Sequence, residues 1–322
     1  MDLDLLSLPP EILAKIFSYI PWNQLINIKL SAKKFKYVTE KYLNDMQKPK
    51  LYLIVFENES THDDGIDRIR IIYGIIIIDE DGLEENISSE KEFFLLPSEL
   101  DDLHGFLQKV DLTSLRHVGI SLDNHTEVMA IFSGYFHNRS TINSICVTAK
   151  NSQEDLGNTL LFLQKIQNVV DLALQLHLPC LNVSKDFVIP VRNSLVSILI
   201  RERENTAFIN SKMIKYIVEN NPLLNIYFLS LNNFETYKMV IETIVKRELS
   251  RRKNNCFHRD ISIGYDISRR EALSQLLGYF YSEEFPYNNG IIQDECILYY
   301  GNLKCSVCGG FDSIEISKYR LY

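Results

Sequence analysis

The sequence predicts an α/β fold in which a small three-helix module is followed by a long series of strand–helix units. Near the N-terminus, apolar residues recur at helical spacing, and prolines mark where the segments begin and end. From Leu115 onward, a strand-like apolar pattern returns about every 27 residues. The chain has 322 residues, of which 46% are hydrophobic and 24% are charged, so wholesale disorder is excluded.

The three-helix module is predicted to occupy residues 1–48. Pro10 holds Pro9 in an extended conformation, so the first helix is expected to begin at Pro10 and to stop before Pro21. A second short helix follows, and Ser31 is expected to cap a third. A polar stretch that contains a proline ends the module.

The first helix carries apolar residues nearly all round, including Ile12, Ile16 and Phe17. A unit of this size rarely folds alone without disulfides or metal, and its two partner helices are too short to cover that surface. The surplus predicts a surface for another protein. The alternative is that the module packs against the rest of its own chain.

Residues 49–111 are predicted to form an acidic, strand-rich linking or capping region. Residues 51–102 hold 3 Lys+Arg against 15 Asp+Glu, a balance of −12, whereas the whole chain has a net charge of −8. Two runs rich in β-branched and aromatic residues, 51–56 and 69–78, are predicted strands. Acidic segments between and after them resemble cation ligands but lack the spacing of an EF-hand, which favours solvated turns.

Residues 112–322 are predicted to form an irregular solenoid of strand–helix units. A pattern of the form apolar-x-x-apolar-x-apolar occurs five times, at steps of 27, 27, 26 and 28 residues. Its middle residues are Val118, Ile145, Leu172, Ile198 and Ile226. A fixed period in this range is typical of a solenoid whose units each supply one strand and return through a helix. The alternative is an ordinary α/β domain whose strands are similarly spaced by chance.

These units resemble leucine-rich repeats, whose strands carry the same apolar spacing. The family's asparagine is not regular in this sequence, because Asn124, Asn151 and Asn232 each lie one position late. The resemblance therefore implies a curved α/β array of irregular type.

The first helical segment closely resembles the F-box in the order and spacing of its residues. The matching residues are Leu8-Pro9-x-Glu11-Ile12-x-x-x-Ile16-Phe17-Ser18-Tyr19-Ile20-Pro21, then Leu25 and Lys33-Lys34-Phe35. The third helix departs from the family, since Ser31 and Ala32 stand where Val-Ser is common and Phe35 stands where Trp is frequent. An F-box followed by leucine-rich-like repeats is a known architecture, and the whole chain is similar to the multi-copy F-box families of nematodes.

The resemblance implies a non-catalytic substrate receptor that needs no cofactor or metal. The F-box would dock on the Skp-type adaptor of a cullin-RING ubiquitin ligase, and the repeats would hold a target protein for ubiquitylation and degradation. The residues expected to contact the adaptor are Leu8, Pro9, Ile12, Ile16, Phe17, Ile20, Leu25 and Phe35. The alternative is a repeat scaffold that binds a partner protein without ubiquitylation.

A target protein is expected to contact the concave side of the array. Residues between the apolar anchors of a strand face that side, and they become more apolar and aromatic toward the fifth unit. Tyr and Arg are enriched among residues that dominate binding energy. The predicted contact patch consists of Leu199, Arg201, Tyr227 and Leu229.

Several other classes are disfavoured. The net charge of −8 argues against binding nucleic acid through phosphate contacts, and no apolar run approaches the ~20 residues of a membrane span. The acidic start of the chain and its six cysteines predict a reducing compartment, cytoplasmic and/or nuclear. Cys305-x-x-Cys308 has no second close pair of ligands in the sequence, so an enzyme or zinc protein built on it is the least favoured alternative.

Overall fold

The computed structural model describes residues 5–59, 67–78, 85–87, 89–123, 125–138, 140–150, 157–177, 183–203, 206–252, 258–266, 270–289, 296–305 and 307–319. The chain divides into two compact units. The first comprises Met1–Ile54 and Glu59–Leu115, and the second comprises Val55–Asn58 and Arg116–Tyr322. Within the described ranges, no helix is long and apolar enough to cross a bilayer.

The first unit combines short helices with antiparallel strands. Its described elements are α1 (Pro10–Phe17), α2 (Trp22–Ser31), α3 (Lys33–Lys41), β1 (Leu51–Glu59, of which Val55–Asn58 belong to the second unit), β2 (Arg68–Ile78), β3 (Glu85–Ile87), β4 (Lys91–Leu95) and α4 (Leu100–Gln108). β2 pairs antiparallel with β3 and with β4. The two strands predicted in this region are confirmed as β1 and β2. The acidic segments that resemble cation ligands, 62–65 and 79–81, lie outside the described residues.

Prolines set the starts of the first two helices. Pro9 is extended, with φ −57° and ψ 147°, and Pro10 occupies the first turn of α1. There its missing N–H costs nothing, because the first N–H groups of a helix have no intrahelical partner. Pro21 is extended in the same way before α2, with φ −54° and ψ 141°. The predicted start of α1 is confirmed.

The predicted cap of α3 is wrong by one residue. Ser31 is the last residue of α2, and its hydroxyl donates to the carbonyl of Ile28 at 2.8 Å. Ala32 is the extended residue that separates α2 from α3, with φ −153° and ψ 142°. The reason is that α2 continues to Ser31, which leaves a single residue for the turn.

The three N-terminal helices bury a small core of their own. Its buried members are Leu13, Ala14, Phe17, Leu25, Val38 and Met46. Phe35 packs against it edge to face with Phe17, at 5.3 Å between ring centroids and 89° between ring planes. We call α1, α2 and α3 with this core the N-terminal helical cluster.

The second unit alternates strands with helices. Its described elements after the end of β1 are β5 (His117–Asp123), α5 (Thr126–Tyr135), β6 (Ile142–Lys150), α6 (Gly157–Leu163), β7 (Val169–His177), β8 (Ser197–Glu202), α7 (Ser211–Asn220), β9 (Ile226–Ser230), α8 (Phe234–Arg252), β10 (Asp260–Asp266), α9 (Arg270–Phe280), β11 (Asn288–Asn289), β12 (Ile297–Lys304) and β13 (Phe311–Tyr319). The predicted α/β class is confirmed.

Strands β5 to β10 lie side by side in chain order, and each pairs in parallel with the next. A helix lies between each consecutive pair except β7 and β8, where the described part of the connection contains none. β13 continues in parallel beside β10, whereas β12 and β11 close this end antiparallel. A serial strand–helix arrangement therefore covers β5 to β10 but not the C-terminal strands, so the predicted solenoid does not extend over residues 112–322.

The parallel register aligns two rows of buried side chains. The first row is Val118, Ile145, Leu172, Ile198, Tyr227, Ile263 and Ile316. The second row is Ile120, Val147, Leu174, Ile200, Leu229 and Tyr265. Every member is at most 3% exposed. The first four middle residues of the predicted repeat thus fall in one row, as expected.

The fifth unit is shifted by one residue from its predicted register. Tyr227, not Ile226, pairs with Ile198, so the step is 29 residues rather than 28. Residues 226–229 are all apolar, so alternation could not decide which of them face inward. The structure buries Tyr227, whose hydroxyl reaches the carbonyl of Leu224 at 3.4 Å.

Buried asparagines connect the turns that precede the strands. Asn221, before β9, is 1% exposed, and its side-chain amide donates to the carbonyls of Val191 and Ile217 at 2.9 and 2.8 Å. Its oxygen accepts from the N–H of Leu195 at 3.3 Å. Asn138 occupies a similar place before β6 and accepts a backbone N–H from the turn before β7 at 2.7 Å. These amides satisfy backbone groups that would otherwise be buried unpaired.

Replacing Asn221 with alanine removes all three of these hydrogen bonds. At ~1 kcal/mol for each bond, we expect the free energy of unfolding to fall by about 3 kcal/mol. Urea denaturation followed by circular dichroism measures this loss. Asn220→Ala is the matched control, because Asn220 makes a single side-chain bond, to the carbonyl of Tyr216 at 2.8 Å. Equal losses for the two variants would contradict the account.

Candidate functional site

One side of α1 presents apolar side chains that the N-terminal helical cluster leaves uncovered. Ile12, Ile16 and Tyr19 are 47%, 39% and 73% exposed, and Pro9 is exposed just before the helix. Their spacing of three to four residues places them along one side, whereas the buried residues of α1 lie on a different side. We call these four residues the α1 stripe. Such a stripe on a small unit is typical of a protein-binding surface.

Polar contacts hold the start of α1 against α3. The Lys34 ammonium donates to the carbonyls of Leu6 and Leu8 at 2.7 and 2.8 Å. The Tyr42 hydroxyl donates to the Glu11 carboxylate at 3.1 Å. The backbone N–H of Glu11 and the Tyr42 hydroxyl both stabilise that carboxylate, so they lower the pKa of Glu11. These contacts join the start of α1 to α3 and to the residue that follows α3.

The eight residues predicted to contact an adaptor fall into three groups. Pro9, Ile12 and Ile16 are exposed and belong to the α1 stripe. Leu8, Ile20 and Phe35 are partly buried against the core of the cluster. Phe17 and Leu25 are 2% and 8% exposed. For these last two the expected surface position is corrected, because their side chains form the core itself.

The parallel sheet has a second face that the two buried rows do not occupy. The side chains that alternate with those rows are partly or fully exposed along β5 to β9, except Ser230 at the end of β9, which is 1% exposed. In register, Ala173, Leu199 and Phe228 lie side by side, and Gln175 lies beside Arg201. We call this side of β5 to β9 the open face. Leu199 and Arg201 lie on it, as predicted.

The other two residues of the predicted target patch do not lie on the open face. Tyr227 and Leu229 are 3% and 1% exposed, in the buried rows. Ile226 and Phe228 take their places on the open face. The one-residue shift of the fifth unit causes this exchange, since successive residues of a strand point to opposite faces.

One polar row of the open face, His117, Ser144 and Asp171, does not have the order of a catalytic triad. His117 Nδ1 and Ser144 Oγ lie 2.9 Å apart, and Asp171 follows Ser144 in the register. A catalytic triad needs the histidine between the nucleophile and the carboxylate, whereas the serine is in the middle of this row. Burial raises the pKa of the Cys146 thiol, so that thiol stays protonated at neutral pH.

The orientation of β9 can be tested by stability. Tyr227→Ala removes a buried ring and should lower the free energy of unfolding by about 3 kcal/mol or more. Phe228→Ala removes a partly exposed ring on the open face and should cost about 1 kcal/mol. Urea denaturation of both variants measures the difference. A larger loss for Phe228→Ala would show that the assigned faces of β9 are reversed.

The spacing of residues in the sequence did not indicate that His258 lies beside Cys305 and Cys308. His258 Nε2 lies 2.9 Å from the Sγ of Cys308, although 50 residues separate them in the chain. Pairing of β10 with β13 brings the two segments together. The available signal was the order Cys256-x-His258, with Cys305-x-x-Cys308 followed by two glycines. Cys256 lies outside the described residues.

No protein-family model matches the chain, and no curated protein matches it at a significant level.

Proposed function

We propose that this protein is the substrate-recognition subunit of a Skp–cullin–F-box ubiquitin ligase. In this proposal, residues 1–48 are the F-box, residues 49–111 are an acidic linking or capping region, and residues 112–322 are an irregular leucine-rich-repeat-like array. The observation that carries the proposal is the α1 stripe. It combines the residue order of an F-box with apolar side chains that are exposed in the folded chain.

The N-terminal helical cluster supports the adaptor role because different residues form its buried core and its exposed surface. Phe17 and Leu25 belong to the buried core that the three helices share. Ile12 and Ile16 are exposed on α1, where they can enter a hydrophobic groove of a Skp-type adaptor. Burying the exposed parts of both side chains would contribute ~2 kcal/mol to binding.

The open face supports the target role. Parallel strands in series place Leu199 beside Phe228, with Arg201 two residues further along β8. Large apolar, aromatic and arginine side chains on one partly exposed surface are suited to hold a protein segment. The corrected target-binding patch is therefore Leu199, Arg201, Ile226 and Phe228.

The proposed mechanism is proximity. The F-box binds the adaptor, the adaptor binds the cullin-RING assembly, and the open face holds the target where ubiquitin is transferred. In this mechanism no bond is made or broken by the chain itself. Its contribution is to raise the local concentration of the target beside the ligase.

Calorimetry with a purified Skp-type adaptor and the full chain tests the adaptor role. Wild-type protein should bind, whereas the double variant Ile12→Glu, Ile16→Glu should bind at least ~30-fold more weakly, because removing hot-spot residues costs ~2 kcal/mol or more. Both side chains are exposed, so the variant should unfold at the wild-type urea concentration.

Leu161→Glu provides the matched control. Leu161 is 57% exposed on α6 in the second unit, and the variant should bind the adaptor like wild type. Absence of wild-type binding, or equal weakening by the control, would contradict the adaptor role. The chain would then be better explained as a repeat scaffold that binds a partner protein without ubiquitylation.

A further inference from the structure

The turn that joins β12 to β13 brings two cysteines and a distant histidine together. One potential ligand atom from each of His258, Cys305 and Cys308 lies within 4.8 Å of the others. Cys305 is buried and Cys308 is exposed, and no disulfide joins them. None of the three residues belongs to the proposed adaptor or target surfaces. The proposed ligase role therefore does not account for this cluster.

Two glycines shape this turn around the histidine. The Gly309 N–H donates to the Cys305 carbonyl at 3.0 Å, and the Cys305 N–H donates to the Gly310 carbonyl at 2.7 Å. Gly309 has φ 75°, a conformation that favours glycine. A Cβ atom at Gly310 would lie 2.7 Å from Nε2 of His258, so a larger residue would displace the imidazole. The turn thus leaves room for the ring beside both thiols.

A buried carboxylate orients the imidazole. Asp312 Oδ1 lies 3.1 Å from His258 Nδ1 and also accepts the N–H of Arg259 at 3.1 Å. The Asp312 side chain is 5% exposed. A carboxylate accepts hydrogen bonds, so in a metal-binding imidazole Nδ1 would donate to Asp312 and Nε2 would be left to bind the ion beside Cys308. This arrangement of carboxylate and imidazole is the one that orients metal-binding histidines.

The kinds of ligand atom in this cluster, sulfur and imidazole nitrogen, favour zinc. Two thiols and one imidazole favour Zn²⁺, whereas Mg²⁺ and Ca²⁺ prefer oxygen ligands. Tetrahedral bonds of ~2.1 Å to nitrogen and ~2.3 Å to sulfur separate those ligand atoms by about 3.5 Å. The His258 Nε2 to Cys308 Sγ distance of 2.9 Å must therefore open slightly, which the exposed Cys308 side chain allows by rotation. Water can supply a fourth ligand at the exposed side.

We infer that His258, Cys305 and Cys308 bind a Zn²⁺ ion that fastens the turn between β12 and β13 to the start of β10. Two apolar residues in and just after this turn are poorly covered, since Val307 and Phe311 are 77% and 56% exposed. Zinc–ligand bonds supply the constraint that apolar burial does not provide there. This site goes beyond the proposed ligase role and does not depend on it.

Cobalt titration of the full chain tests the site. The protein is reduced, freed of metal by chelation and titrated with Co²⁺ while the absorption spectrum is recorded. We expect saturation at about one equivalent, with thiolate-to-cobalt charge-transfer bands in the near ultraviolet and visible bands typical of tetrahedral cobalt. Zn²⁺ should displace the cobalt and abolish these bands, because Zn²⁺ prefers this ligand set.

Three variants separate ligands from their support. Cys308→Ser removes one thiolate and should reduce the charge-transfer absorbance by about half, or abolish it. Asp312→Asn keeps all three ligands and should weaken cobalt affinity by ~10-fold or more, as loss of an orienting carboxylate does. Cys146→Ser is the matched control, because Cys146 lies on β6, four strands from β10, and should leave the titration unchanged.

Thermal unfolding of the same samples shows whether the ion is structural. Added Zn²⁺ should raise the unfolding midpoint of wild-type protein and of Cys146→Ser, but not that of Cys308→Ser. Saturable cobalt spectra with these differences would support the site. A wild-type chain without charge-transfer bands at a slight excess of Co²⁺ would overturn it, and so would a Cys308→Ser spectrum equal to that of wild type.

Discussion

The parallel register of β5 to β10 is the constraint on which the second unit depends. Each strand must place its apolar residues in the same two buried rows, because the neighbouring strand has already fixed their positions. A shift of one residue in any strand would carry those side chains to the opposite face. The register therefore decides which residues form the open face, and the pairing of β10 with β13 decides which segments meet at His258.

The N-terminal helical cluster obeys a different constraint, which is its size. Three short helices can bury a core of a few side chains, so part of the apolar surface of α1 must remain outside it. Phe17 belongs to that core, and Ile12 and Ile16 belong to the remainder. One helix thus stabilises the cluster with one side and presents the α1 stripe with another. The proposed adaptor contact uses surface that the chain cannot cover within this cluster.

Sequence patterns predicted what depends on local spacing. The start of α1 followed from Pro9 and Pro10, and four strands followed from a repeat near 27 residues. The face of β9 could not be predicted, because residues 226–229 are all apolar and alternation carries no information there. His258 could not be assigned to Cys305 and Cys308 by spacing, since strand order alone brings them together. Contacts that depend on the pairing of distant strands could therefore not be predicted from the sequence.

Hydrogen–deuterium exchange of the full chain, with and without a Skp-type adaptor, tests the central claim most directly. If the α1 stripe is the adaptor surface, exchange should slow in α1 and its flanking turns and stay unchanged in β5 to β9, which form the proposed target surface. Slowing in β5 to β9 without a change in α1 would contradict the account. Unchanged exchange throughout the chain at saturating adaptor would contradict it as well.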